Sequence, residues 1–198
     1  VRGLIDRAGG PDVAGGALFR KNDHLRANAK TEPYALRAWC WQVLAQANRD
    51  RTAAGYRRGT VTPAFLREVA QLSAAADGPA LARAFLARHG IPLVIVRHLP
   101  KTYLDGAALE LGDGRPVIGL TLRYDRIDNF WFCLLHELAH VGRHLDNDDG
   151  HAFVDDLTLR NVDLGREDRR EREADDWAEE ALVPQAAWDA SEVKDRPT

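Results

Sequence analysis

Methionine is missing altogether from these 198 residues, and cysteine occurs only twice. Two cysteines in a chain of this length exclude the disulfide framework on which small secreted domains depend. Both of them, Cys40 in AWCWQVL and Cys133 in FWFCLLHEL, sit inside apolar helical patterns, where a free thiol behaves as a small buried hydrophobe. Without a methionine, Val1 is not an encoded start as written, and the expectation is a fragment or processed product of something longer. The sequence has no apolar run near the length of a membrane span and no signal-peptide pattern, so the expected compartment is the cytoplasm, with no membrane partner. It also lacks an excess of one charge: 27 Lys and Arg stand against 30 Asp and Glu, for a net charge of -3. Nothing in that balance advertises a polyanion partner, and the Arg-rich run near residues 166–172 is interleaved with acids, as on a solvated helix face.

What is present is an ordinary globular composition, 45% hydrophobic and 29% charged, in a chain long enough to bury a core around a cavity. Residues 1–28, with Gly9-Gly10-Pro11 and Gly15-Gly16, are expected to be a linker or tail from an upstream domain, and 29–198 the functional domain. From Pro33 to about Ala54, Leu36, Trp39, Cys40, Val43, Leu44 and Ala47 recur at helical spacing. Thr62-Pro63 opens a second helix to about Ala76, and a third follows Gly78-Pro79 and ends at His89-Gly90. The pattern then becomes β: IPLVIV, YLDGAALEL and RPVIGLTL predict a small three-stranded sheet with a hairpin at Gly112-Asp113-Gly114. A helix returns with Phe130, Trp131, Leu134, Leu135, Leu138 and Val141, for which Asp128 or Asn129 is the expected cap. Asp146 to Gly150 is a turn, the next fifteen or so residues are ambiguous, and a charged helix runs from about Glu167 to Leu182.

His136-Glu137-Leu138-Ala139-His140 spells H-E-x-x-H inside that apolar helix. Residues four apart project from one helix face, so two imidazoles can reach one ion, and zinc suits such ligands. Glu137 lies about 100° around the helix from His136, which lets it reach the hydrolytic water without being a ligand itself. A catalytic zinc usually takes three protein ligands, so a third is required. His144 is one more step of four along, but the drift of about 40° and further rise of about 6 Å carry it away from an ion held by the first two. Asp146 stands where metzincins have their third ligand, yet that pattern needs Gly at 143, and here 143 is Arg with the Gly at 142. The third candidate comes from EREADDWAEEAL, whose apolar face is Ala174, Trp177, Ala178, Ala181 and Leu182. Glu171 falls roughly 50° from the centre of that face and Glu173 roughly 110° away, so Glu171 is expected to look inward and Glu173 to face water. Asp175, one turn beyond Glu171, is placed to accept a hydrogen bond from a ligand histidine.

These two blocks, H-E-x-x-H and then Glu171-Arg172-Glu173-Ala174-Asp175-Asp176-Trp177-Ala178 with Leu182-Val183-Pro184, resemble the fingerprint of the ImmA/IrrE family of metallopeptidases. The stretch GRPVIGLTLRYDRIDNFWFCLLHELAH, with FVDDL at 153–157, is similar to the peptidase-like half of HigA-type antitoxin regulators. The resemblance covers about residues 25–190 and implies a gluzincin-like α+β domain: N-terminal helices, a small sheet, an H-E-x-x-H helix and a C-terminal glutamate-bearing helix. It implies Zn²⁺ on His136, His140 and Glu171, with Glu137 as general base. Family members include peptidases that cut DNA-binding repressors, so a protein substrate is implied. The alternative is a metal-binding regulatory or antitoxin module that docks a toxin or senses a ligand. Trp177 and Asp175 stand where Phe and Asn are usual, and no helix-turn-helix occurs in these residues, so direct nucleic-acid binding is not expected of them. For the donor that would steady a tetrahedral oxyanion, Tyr103, Tyr124, His98 and His151 are all candidates.

Overall fold

Alternation along three short strands divides the apolar residues between two cores, one on each face of a sheet. The computed structural model describes residues 2–10, 25–26, 32–50, 55–121, 125–146, 153–155 and 168–191. In chain order these form α1 (Arg2–Arg7), β1 (Leu25–Arg26), α2 (Pro33–Arg49), α3 (Pro63–Gln71), α4 (Gly78–Arg88), β2 (Leu93–Ile95), β3 (Gly106–Glu110), β4 (Pro116–Leu120), α5 (Ile127–His140), β5 (Phe153–Asp155), α6 (Asp168–Leu182) and α7 (Gln185–Asp189). The class is α+β, as expected from the sequence.

The three expected strands are β2, β3 and β4, with β3 and β4 an antiparallel hairpin and β2 parallel to β4. Two short segments extend them, giving the order β1-β5-β3-β4-β2. One of these, β5, lies in the stretch that periodicity left ambiguous, and it pairs antiparallel with β3. At the hairpin Gly114 has φ +81, a conformation that a residue without Cβ takes at no steric cost.

Val94, Val96, Ala107, Leu109 and Val117 face α2, where Trp39, Cys40, Val43 and Leu44 are buried. Leu93, Ala108, Ile118 and Leu120 face the other way, into a core shared with α3, α4, α5 and α6. The layers are therefore α2, sheet, and a group of four helices. Close approach of α2 depends on Gly119, since a Cβ there would lie 2.7 Å from the Trp39 ring. Neither cysteine is in a disulfide and both are buried, and burial pushes the Cys40 thiol up to about 12, so it is inert at neutral pH.

Local signals explain the helix starts. Glu32 caps α2 by accepting from Ala35 N at 2.8 Å, and Thr62 caps α3 by accepting from Phe65 N at 3.2 Å, each just ahead of a proline. The second expected helix is shorter than its pattern: α3 ends at Gln71 and a tight 3₁₀ turn, Leu72–Ala74, follows. The chain folds back there so closely that a Cβ on Gly78 would lie 2.5 Å from Leu72 O. The expected cap of α5 is also corrected. Arg126 holds the cap position, and Asp128 sits in the first turn, accepting from Arg126 Nε at 3.0 Å. Within the segment expected to be a linker, α1 packs on α2, with Asn48 Nδ2 donating to Arg7 O at 3.1 Å and Ala8 wholly buried.

Beyond His140 the helix widens into a π turn, Val141–Leu145. Gly142 in this turn touches the loop before α3, and a Cβ there would come within 2.4 Å of Val61 O. The backbone carbonyl cannot rotate away as a side chain would, so Gly142→Ala is expected to cost about 1–3 kcal/mol of stability through overpacking, read as a lowered denaturant midpoint.

Candidate metal centre

The buried side of α5 carries His136, Glu137 and His140, all at most 1% exposed. Helix α6 packs chiefly against α5, and its contact face is lined by Ala174, Ala178 and Ala181, whose small side chains allow the backbones to approach. That approach brings Glu171, 5% exposed, over the two histidines. His136 Nε2 and His140 Nε2 are 3.0 Å apart, and Glu171 Oε2 lies 3.3 Å from the first and 3.5 Å from the second.

Ligand atoms bound tetrahedrally at about 2.0–2.2 Å from an ion stand about 3.3–3.6 Å from one another. The two sides of the triangle that end on Glu171 Oε2 match that spacing, and the 3.0 Å between the imidazoles is shorter than it. His136, His140 and Glu171 could therefore hold a metal ion, and they form the group of metal-ligating side chains brought together among the described residues. Protonation suits the same purpose. Burial would favour a neutral Glu171, but the imidazoles of His140 and His136 pressed against it outweigh burial and hold its carboxyl well below the usual carboxylate range. Burial also pushes His140 below the ordinary imidazole value, against the pull of Glu171.

Outer contacts orient both rings. His136 Nδ1 lies 2.9 Å from Asp175 Oδ1, the partner expected from the spacing of α6. A charged carboxylate can only accept, so the proton sits on Nδ1 and the lone pair on Nε2 faces the triangle. His140 Nδ1 lies 3.0 Å from His144 Nδ1, and His144 Nε2 is 3.4 Å from Glu173 Oε2. Burial, reinforced by neighbouring His140, lowers His144 to about 4.

Glu137 points its carboxylate at β3. A Cβ on Gly106 would lie 2.6 Å from Glu137 Oε1, so the absent side chain at 106 is what gives that carboxylate its place. The sequence carried no sign of this role for Gly106.

The remaining candidates separate cleanly. His144 is not a ligand, since its ring stands behind His140. Asp146 is not one either: it accepts from Tyr56 Oη at 2.8 Å and from Gly59 N at 2.8 Å, which ties the loop before α3 to the end of the π turn. Glu173 corrects its expectation, because it does not simply face water. It is 24% exposed and its Oε2 lies 3.3 Å from Arg143 Nη2, while Arg169 Nε donates to its Oε1 at 3.0 Å. The π turn swings Arg143 and His144 toward it, which a straight-helix projection does not anticipate. Of the oxyanion candidates, His98 Nδ1 lies 3.3 Å from Thr102 Oγ1, and Tyr103 is half-buried with φ +48 in the loop before β3. Tyr124 and His151 lie outside the described residues.

Compared with family models, with curated proteins and with solved structures, the chain finds no match. The ligand set predicts a sharp contrast in metal analysis after gel filtration. Glu171→Ala is expected to lose one-to-one binding, whereas Glu173→Ala and Asp146→Ala retain that stoichiometry at saturating metal.

Proposed function

We propose that the chain is a zinc-dependent endopeptidase of the ImmA/IrrE kind that cleaves a protein regulator such as a DNA-binding repressor. The observation that carries this reading is the triangle of His136 Nε2, His140 Nε2 and Glu171 Oε2, with Glu137 buried beside it on the same helix. Two imidazoles and one carboxylate are the donors of a catalytic zinc site with a position left for water. When bound, zinc supplies Lewis acidity, polarising a scissile carbonyl and acidifying water.

The chain's own residues supply the rest. Glu137 takes a proton from the attacking water and hands it to the departing amine, for which an acid–base group must sit within hydrogen-bond reach of both. Its carboxylate occupies space beside β3 that a Cβ at position 106 would fill. Asp175 fixes the tautomer of His136, so that ring presents a lone pair. Burial lowers the local dielectric and strengthens each of these charge interactions.

A second reading draws on that same burial. All four side chains are at most 5% exposed, as in closed metal sites that hold structure rather than turn over substrate. It makes the domain a regulatory or antitoxin module that docks a toxin or senses a ligand.

Incubation with candidate repressors and toxins, with and without chelator, separates the two. Chelator-sensitive cleavage supports the peptidase, and stable binding without cleavage supports the module. Glu137→Gln is expected to keep the metal and lower cleavage by about 10²–10⁴-fold; a variant that still cuts at the wild-type rate would remove Glu137 from the role. Gly106→Ala is expected to displace the Glu137 carboxylate and lower kcat about 10²-fold at unchanged metal content, since displacements near 1 Å have effects of that size.

A further inference from the structure

A carboxylate directs the proton of His136, and among the described residues the outer nitrogen of His140 meets a different kind of partner. It is a second imidazole, His144, 5% exposed, with its Nδ1 3.0 Å from His140 Nδ1. The far nitrogen of His144 faces Glu173 Oε2 at 3.4 Å, and Glu173 is anchored by Arg143 and Arg169.

Proton placement along this row follows from its outer end. Glu173, held as an anion by two guanidinium groups, can only accept, so His144 carries its proton on Nε2. The Nδ1 of His144 is then an acceptor. His140 must donate to it from Nδ1, which leaves the lone pair of His140 on Nε2. Asp175 imposes the same order on His136 from the opposite side. The two lone pairs consequently meet at 3.0 Å, an arrangement that a cation between them stabilises and that repels without one.

We propose that His144 and Glu173 are positioning residues for the metal, a His-to-His-to-Glu relay that fixes the ring and tautomer of His140 as Asp175 fixes those of His136. The inference rests on the metal reading of the triangle and goes beyond it by assigning roles to two residues that do not touch the ion. The π turn is part of the device. His144 lies within it, with its ring centroid 5.1 Å from that of His140.

The test measures zinc affinity by chelator competition, with the absorption spectrum of the cobalt form as a geometric readout. His144→Leu keeps bulk but removes the acceptor, and is expected to weaken zinc binding about 10–100-fold, the usual effect of losing such an outer partner. His144→Asn places a carbonyl oxygen near the position of Nδ1 and is expected to recover most of that loss and restore the wild-type cobalt spectrum. Glu173→Leu alters a half-buried position on α6 and tests the relay even where the core substitution at 144 fails to fold; a several-fold weakening is expected. Folded His144→Leu or Glu173→Leu protein that binds zinc as tightly as wild type overturns the proposal, as does an Asn variant no better than Leu. Wild-type protein that binds no zinc would instead overturn the metal reading itself, so the two failures are distinguishable.

Discussion

Placing two imidazole lone pairs and a carboxylate within 3.5 Å of one another in a nearly dry interior is the constraint around which the rest of this domain is arranged. Polar groups gathered like this are costly to bury unless their charges and hydrogen-bonding capacity are matched. The protein meets that cost in layers. Asp175 and the His144–Glu173 pair occupy the outer nitrogens, and the inward atoms are left facing a common point. The small face of α6 lets the carboxylate come close enough to complete the set.

Rigidity comes from apolar packing rather than from the polar groups. Leu134, Leu135 and Leu138 on α5 are fully buried, in the same core as Ala108, Ile118 and Leu120 from the sheet. This fixes the rotation of α5, and with it the direction of His136 and His140. Missing side chains matter as much as present ones: Gly106 leaves space for Glu137, and Gly142 lets the π turn approach Val61 O.

Much of the site was legible because its information is periodic. The four-residue spacing of His136 and His140 and the inward angle of Glu171 survive any detail of tertiary packing, and Asp175 follows from the same helix. The strands β2 to β4 were visible as apolar β-branched runs bounded by glycine and proline. Three kinds of feature were not visible. The π turn departs from 3.6-residue spacing, so the contacts of Glu173 with Arg143 and His144 were not projected. Gly106 acts through a residue 31 positions later, and sequence distance holds no record of that contact. The two-residue β1 and three-residue β5 are too short to show a period and are defined by their pairing partners.

The sheet also works as a partition. Side chains on one of its faces meet only the α2 core, while those on the other meet the helices that carry the ligands, and the two apolar clusters share no buried residue. A change in the α2 core therefore reaches the histidines through the strands themselves, and Gly119, which admits the Trp39 ring, is a point where the two sides stay coupled.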